Sequence, residues 1–430
     1  MRDVLRAGNV RALTAGLADI DVASTVREIV EDVRERSDDA LVEWTRRLDR
    51  VGREFDAGEI RVLREKLAAA RAGADPQFLA LVRRVADNIR RYQRHILVEA
   101  PAALLRGGRE LGVRYTPVGR VGVYVPGGEA MYPSTVLMTV VPAQVAGVPQ
   151  IAVASPPRCE GEVNEMVLAL AAELGIDEVY RMGGAQAIAA FAFGTKTVKP
   201  VDKIVGPGNA FVAEAKRRVL GRVGIDSIAG PSEVLIIADE TAQPAWVAAD
   251  LLAQAEHAPG SAVLVTVSEK LAGAVVTAIE KQLPSLSRAE AIRPALEKYG
   301  AVIVVPDIEA ACEVANDFAP EHLQIITAAD DAALAKIRNA GAVFLGACTP
   351  VSLGDYCAGP SHVLPTGGTA RFFGALSCND FLKASSVIRY DADALAEDVP
   401  LCLQADPLFV HDVLTHAGQP APTALQRWQL

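Results

Sequence analysis

Only six histidines occur in this chain, at positions 95, 257, 322, 362, 411 and 416, and three stand among residues that could do chemistry with them. His322 lies in Phe318-Ala-Pro-Glu-His-Leu-Gln324, where a carboxylate adjoins an imidazole directly after a proline. Histidine titrates near neutrality and a neighbouring carboxylate can orient it or activate water, so Glu321-His322 suits proton transfer. The alternative is a helix-terminal carboxylate beside a core histidine. His257 closes Pro244-Ala-Trp-Val-Ala-Ala-Asp-Leu-Leu-Ala-Gln-Ala-Glu-His, in which Asp250, Gln254 and His257 are spaced i, i+4, i+7 on one helical face. An amide oxygen and a neutral imidazole on one face could supply half of a metal shell. A surface histidine at the negative end of a helix would have the same spacing. His362 belongs to Gly354-Asp-Tyr-Cys-Ala-Gly-Pro-Ser-His-Val-Leu-Pro-Thr366, which reads as a long loop holding Asp355 as a candidate metal carboxylate. Asp beside Gly is equally ordinary turn chemistry. Cys348 and Cys357 near this loop are the candidate nucleophilic thiols, without an activating neighbour in sequence. His95 ends a basic helix and reads as a surface residue.

These residues need a scaffold. Four hundred and thirty residues, half of them apolar, are enough for two or three domains. The net charge of −10 argues against nucleic acid as a partner. The most apolar stretch, residues 136–155, is interrupted by Pro142, Gln144, Gly147, Pro149 and Gln150, which excludes a membrane span. No secretory signal opens the sequence, and six scattered cysteines fit reduced thiols in a cytoplasmic protein. Helical periodicity begins at Ser24, which with Glu28 resembles an N-cap. It returns from Ser37, and from Pro76 to about Ile96. Period-two runs follow at residues 111–116 and 121–125, and then short apolar strands alternate with helices. That alternation indicates βαβ units and parallel sheets in two sets, with a seam near Gly230. A helix spans about Asp391 to Leu403 before a Pro- and Gln-rich tail. The Gly-x-Gly-x-x-Gly fingerprint is absent. Gly206-Pro-Gly-Asn209 and Pro126-Gly-Gly128 stand at strand ends, where backbone N–H groups could approach phosphates or simply make tight turns.

Taken together, these stretches resemble histidinol dehydrogenase from about Ser24 to Tyr390. The most specific segments are Ile225-Asp-Ser-Ile-Ala-Gly-Pro-Ser-Glu-Val-Leu235 and Asp250-Leu-Leu-Ala-Gln-Ala-Glu-His257. Pro320-Glu-His322, Gly354-Asp-Tyr356 and His362-Val-Leu-Pro-Thr366 follow in matching order and spacing. The resemblance implies an α/β fold of two incomplete Rossmann-like domains, akin to aldehyde dehydrogenases, with small N- and C-terminal helical segments. The expected division is an arm over 1–22, a main domain over 23–118 and 233–376, an inserted NAD domain over 119–232, and a C-terminal segment over 377–430 exchanged in a homodimer.

The same resemblance implies L-histidinol as substrate, oxidised to L-histidine by two NAD through a bound aldehyde, with one Zn²⁺ per subunit. Gln254, His257 and Asp355 would bind the zinc, joined by a ligand from the other subunit's tail. His322 would be the general base and Glu321 would activate water. Ser232 and His362 match substrate contacts, and Tyr124, Gln186 and Asn209 match dinucleotide contacts. In the tail, Asp406-Pro-Leu-Phe-Val-His411 reproduces the family spacing of an acid and a histidine. Asp406 is therefore expected at the substrate's amino group and His411 at the zinc, with His416 the rival. The chain departs from the family at Val351, where many relatives carry a glutamate near the substrate, and beyond His411, where the usual basic helix is missing. Those departures keep open a zinc- and NAD-dependent dehydrogenase of another small alcohol, of polyol or sulfonate type. A catalytically inactive dimeric binding protein is the remaining reading, opposed by the intact Glu321-His322 pair.

Overall fold

The fold comes from a computed structural model that describes residues 22–405, apart from 50, 53, 128–132, 159, 258 and 259. Asp406, His411 and His416 lie outside the described residues, as does all but the last residue of the arm expected over 1–22. The chain divides into two compact units, one of residues 1–97 with 118–381 and one of residues 98–117 with 382–430.

The larger unit holds two parallel five-stranded sheets. The first is built from β3 (Arg120–Tyr124), β4 (Gln150–Ser155), β5 (Val179–Arg181), β6 (Lys203–Val205) and β7 (Gly224–Ile225), in the spatial order β5-β4-β3-β6-β7. The second is built from β8 (Ser232–Ala238), β9 (Gly260–Thr266), β10 (Gly300–Val304), β11 (His322–Ile326) and β12 (Ala342–Leu345), in the order β10-β9-β8-β11-β12. Each sheet therefore starts in its middle, runs to one edge, and returns to the other side of its first strand. That is the doubly wound order, which leaves a switch point beside the first strand. Helices cover both faces, so the central strands are apolar throughout, and Val234, Leu235, Ile236 and Ile237 are fully buried. The apolar side chains of β8 alternate between two clusters, Val234 and Ile236 in one, Leu235 and Ile237 in the other.

The expected elements form, with three differences. The first helix runs Ala23–Arg36 with Val22 at its N-cap, and Ser24 caps nothing. The helix from Pro244 ends at Ala255, so His257 leaves the face it was expected to share with Asp250 and Gln254. The backbone there approaches Gly260 so closely that a Cβ on it would stand 2.6 Å from the Gln254 carbonyl oxygen, which forces the turn. The segment read as a long loop begins within a short helix, Val351–Tyr356, that carries Asp355. Val351 at the start of that helix is buried in an apolar cluster under the second sheet, so it is a packing residue. The smaller unit is a three-stranded antiparallel sheet, β1 (Leu104–Arg106), β2 (Arg109–Pro117) and β13 (Leu382–Tyr390), followed by the helix Ala392–Ala405. No described helix is long and apolar enough to cross a membrane.

Candidate active site

The second sheet gathers its chemistry at the amino ends of its strands. Pairing of β11 with β8 sets His322 against Val234, so one residue earlier Glu321 stands opposite Glu233. Ser232 Oγ donates to Glu321 Oε2 at 2.5 Å, and the Glu233 backbone N–H donates to the same oxygen at 2.9 Å. His322 places Nδ1 3.0 Å from the Glu233 carbonyl oxygen. A carbonyl can only accept, so Nδ1 carries a proton and Nε2 is the nitrogen free to exchange one. Nε2 is buried without a hydrogen-bond partner among the described residues, 3.5 Å from Asp355 Oδ1.

Burial opposes a charge on His322, but the Glu321 and Asp355 carboxylates and the Glu233 carbonyl prevail, and its pKa is pushed up to about 9. Burial raises the Glu321 pKa, against the pull of His322, Ser232 and the Glu233 amide. Asp355 is also desolvated, yet His322, His362 and His257 together hold its carboxyl below the usual range. Three imidazoles thus act on one carboxylate. His362 Nδ1 lies 3.1 Å from the Asp355 carbonyl oxygen, and burial lowers its pKa. His257 is exposed, with Nδ1 3.3 Å from the Gln254 carbonyl oxygen. The Gln254 amide is buried with Nε2 unpartnered. Ser232, Glu321, His322 and Asp355 therefore form one connected set. Gln254, His257 and His362 flank it by local bonds and shared electrostatics.

The strand ends are held rigidly. Pro320 follows Ala319, whose left-handed φ of 53° stops the helix Ile308–Phe318 abruptly before the Glu-His pair. Gly341 closes over the pair from the start of β12, where a Cβ would stand 2.6 Å from the Glu321 carbonyl oxygen. Among the described residues no three His, Cys, Asp or Glu side chains cluster closely enough to hold a metal by themselves. The donors at hand for an ion are the Gln254 amide oxygen, the His257 imidazole and the Asp355 carboxylate, with His411 outside the described residues.

In the first sheet the polar groups collect at the carboxyl ends. Tyr124, closing β3, is buried and accepts from the Gly184 N–H at 3.1 Å, and burial pushes its pKa up to about 12. Gly206 follows β6 with φ +115°, where a Cβ would lie 2.1 Å from the Tyr124 carbonyl oxygen, so any side chain there forces the turn to shift. Lys216, fully buried, ties this turn down by donating to the Gly206 carbonyl and to Asp226 Oδ1, each at 2.6 Å. Gln186 is fully buried and donates to Asp49 Oδ2 at 3.2 Å, and Asn209 is spent as the N-cap of the helix Ala210–Val219. Beside them a cleft of about 640 Å³ is lined in part by Asp49, Pro157 and Arg158. The structure thus brings Tyr124, Gln186 and Asn209 to one edge of one sheet.

Glu233 is the residue that the sequence reading passed over. It opens an apolar run, and a central parallel strand has no solvent face to receive a carboxylate. A glutamate opening such a run has to be buried, and that was the available signal.

The histidinol dehydrogenase family profile matches residues 14–405. A histidinol dehydrogenase of Rhodopirellula baltica is 51% identical over 398 residues, covering 92% of this chain and 85% of the relative. One from Geobacillus kaustophilus is 50% identical over 373 residues, 86% of this chain and 87% of the relative. The crystal structure of histidinol dehydrogenase from Elizabethkingia anophelis superposes with a TM-score of 0.87 at 33% identity, covering 97% of both chains. With two parallel sheets, a buried Glu-His pair and relatives of this identity over nearly its whole length, the chain belongs to the histidinol dehydrogenase family of oxidoreductases.

Proposed function

We propose that the protein oxidises L-histidinol to L-histidine in two NAD-dependent steps through a bound aldehyde, in the cytoplasm, as a homodimer carrying one Zn²⁺ per subunit. The observation that carries the chemical part is the chain of contacts Ser232–Glu321–His322–Asp355 at the amino ends of β8 and β11. In the first step His322 Nε2 takes the alcohol proton. Its Nδ1–H, fixed on the Glu233 carbonyl, leaves Nε2 as the one nitrogen to accept the proton. An ion held by Asp355 would withdraw part of the carboxylate pull that sets the His322 pKa at about 9 and free the imidazole to act as a base. In the second step Glu321 Oε1 or Oε2 takes a proton from the water that adds to the aldehyde. Ser232 and the Glu233 amide keep that carboxylate aimed while it waits. Burial excludes bulk water from both residues.

Gln254, His257 and Asp355 would hold the zinc with the partner's tail, and His411 of this chain would serve the other subunit. The buried Gln254 side chain, which would ligate through Oε1, the His257 imidazole and the Asp355 carboxylate support this set, since zinc takes oxygen and nitrogen donors. When bound, the ion supplies a fixed positive charge that holds the substrate's imidazole and amino nitrogens. Ser232, His362 and Asp406 would complete the substrate's contacts. Tyr124, Gln186 and Asn209 would border the NAD site, where the Gly206 turn lets backbone approach a phosphate. NAD supplies the hydride acceptor. Purified enzyme given millimolar L-histidinol and NAD should form NADH with a stoichiometry of two per histidine. Absence of NADH would end the reading. Metal analysis of His257→Ala should find the zinc lost, and unchanged occupancy would remove His257 from the ligand set.

A further inference from the structure

Glu233 is a buried, titratable side chain for which the proposed chemistry has no use. The residue is 1% exposed, and Oε1 accepts from the Gly367 N–H at 3.2 Å. Oε2 has no hydrogen-bond partner among the described residues. Its backbone serves both members of the neighbouring pair, the N–H bonding Glu321 and the carbonyl receiving His322 Nδ1. The exchange is reciprocal, because the Glu321 backbone N–H in turn supports the Glu233 carboxyl. Two glutamates thus stand side by side at the paired starts of β8 and β11, each held by the other's main chain.

Their surroundings differ. Glu321 has the Ser232 hydroxyl, the Glu233 amide and the His322 imidazole around it. Glu233 has two backbone amides and a stranded oxygen. Two adjoining buried carboxylates cannot both ionise cheaply, so the proton goes to the one with fewer compensating partners. We propose that Glu233 is a positioning residue that stands as a neutral carboxylic acid beside the Glu321 carboxylate, keeping Glu321 charged and aimed. The pair holds one proton, on Glu233. The claim rests on Glu321 and His322 being the proton-handling pair. Its electrostatics agree: burial first, then the Glu321 charge, push the Glu233 pKa up to about 8, against the two amides and His322. The groups acting on Glu233 are Glu321 and His322 from the start of β11 and the Gly367 amide from the turn after Thr366.

Glu233→Gln keeps shape and neutrality, whereas Glu233→Ala empties the space beside Glu321. Steady-state turnover of the zinc-loaded dimer on L-histidinol should show the Gln variant within about threefold of wild type in kcat at pH 7. The Ala variant should lose more than about tenfold in kcat with KM for L-histidinol and zinc content little changed, the pattern of a lost transition-state interaction. As pH rises through about 8, wild-type Glu233 ionises and the wild-type rate should fall relative to the Gln variant. The proposal is overturned if the Gln variant is as impaired as the Ala variant, if the Ala variant equals wild type, or if the wild-type and Gln pH profiles superimpose. Should Glu233→Ala fail to fold, the two pH profiles decide alone. Glu321→Gln separates this claim from its parent. Full activity there would sink the dyad itself, whereas an inactive Glu321→Gln beside an unaffected Glu233→Ala sinks only the role of Glu233.

Discussion

The two sheets of the larger unit share a strand order, yet they collect their polar groups at opposite ends. In the first, the carboxyl ends of β3, β5 and β6 carry Tyr124, the Gly184 amide and the Gly206 turn, the expected place for a ligand in an open parallel sheet. In the second, the corresponding end is shut by its own side chains. Asp239 accepts from the Ala328 and Thr241 amides and from the Thr241 hydroxyl, and Asp330 accepts from Thr327. N–H groups that might have faced a phosphate there already have an anion of the protein's own. The amino ends invert the comparison. At the start of β3, Arg120 forks onto Glu178 at 2.7 and 2.8 Å, and its N–H meets Asp202 at 2.9 Å, a structural ion pair. At the start of β8 and β11 the equivalent position holds Glu233, Glu321 and His322, with two atoms left without partners. Topology fixes where crevices can form, and local polar chemistry decides which crevice is used.

The comparison can be broken by substitutions at each end. The largest effect is expected at the amino end of the second sheet. His322→Ala should lower kcat by about 10²–10⁴-fold, the range for a lost general base, with the far-ultraviolet spectrum and melting temperature close to wild type. A loss below tenfold would mean that the proton leaves by another route. Next is Lys216→Met in the first sheet, which strands Asp226 in the interior. Breaking a buried pair costs about 3–5 kcal/mol, read as a drop in the denaturant midpoint. Gly206→Ala should cost about 1–3 kcal/mol through its left-handed φ and the approach of Tyr124, and should raise KM for NAD more than for L-histidinol. Equal changes in the two constants would show that this end does not serve the dinucleotide. Asp239→Ala should lose about 1–2 kcal/mol of stability with kcat and both KM values within about twofold of wild type. A large loss of turnover would show that the shut end takes part after all. The smallest effect is expected at Ala319, where glycine relieves a left-handed alanine. Ala319→Gly should stabilise by about 0.5 kcal/mol, measured by chemical unfolding.

Much of the fold was readable because parallel strands buried on both faces leave short, uninterrupted apolar runs, as at residues 234–238 and 301–304. The spatial order was not readable, since no residue in β3 or β8 records which strands will flank it. Of the site, Glu321-His322 announced itself by type and adjacency. Helical periodicity extends the helix to His257, two residues beyond its end at Ala255, because the turn back past Gly260 is a tertiary feature. Asp355 was expected in a loop since Gly354 weakens the helical signal. That glycine is required by Phe344, whose ring would lie 2.7 Å from a Cβ there. Glu233 is marked only by the rule that an acid opening a strand covered on both faces must be buried, and that rule needs β8 to be known as the central strand.

The small antiparallel unit has a consequence for biosynthesis. β2 is paired along its whole length by β13, from Leu382 against Pro117 to Tyr390 against Arg109. On the ribosome, the earlier of the two strands emerges after residues 1–97 of the larger unit and before residues 118–381, and its open edge waits until all of these have followed. Assembly of that sheet thus waits for the synthesis of β13, and a nascent protein stalled before Leu382 would carry an exposed strand edge for chaperones to shield.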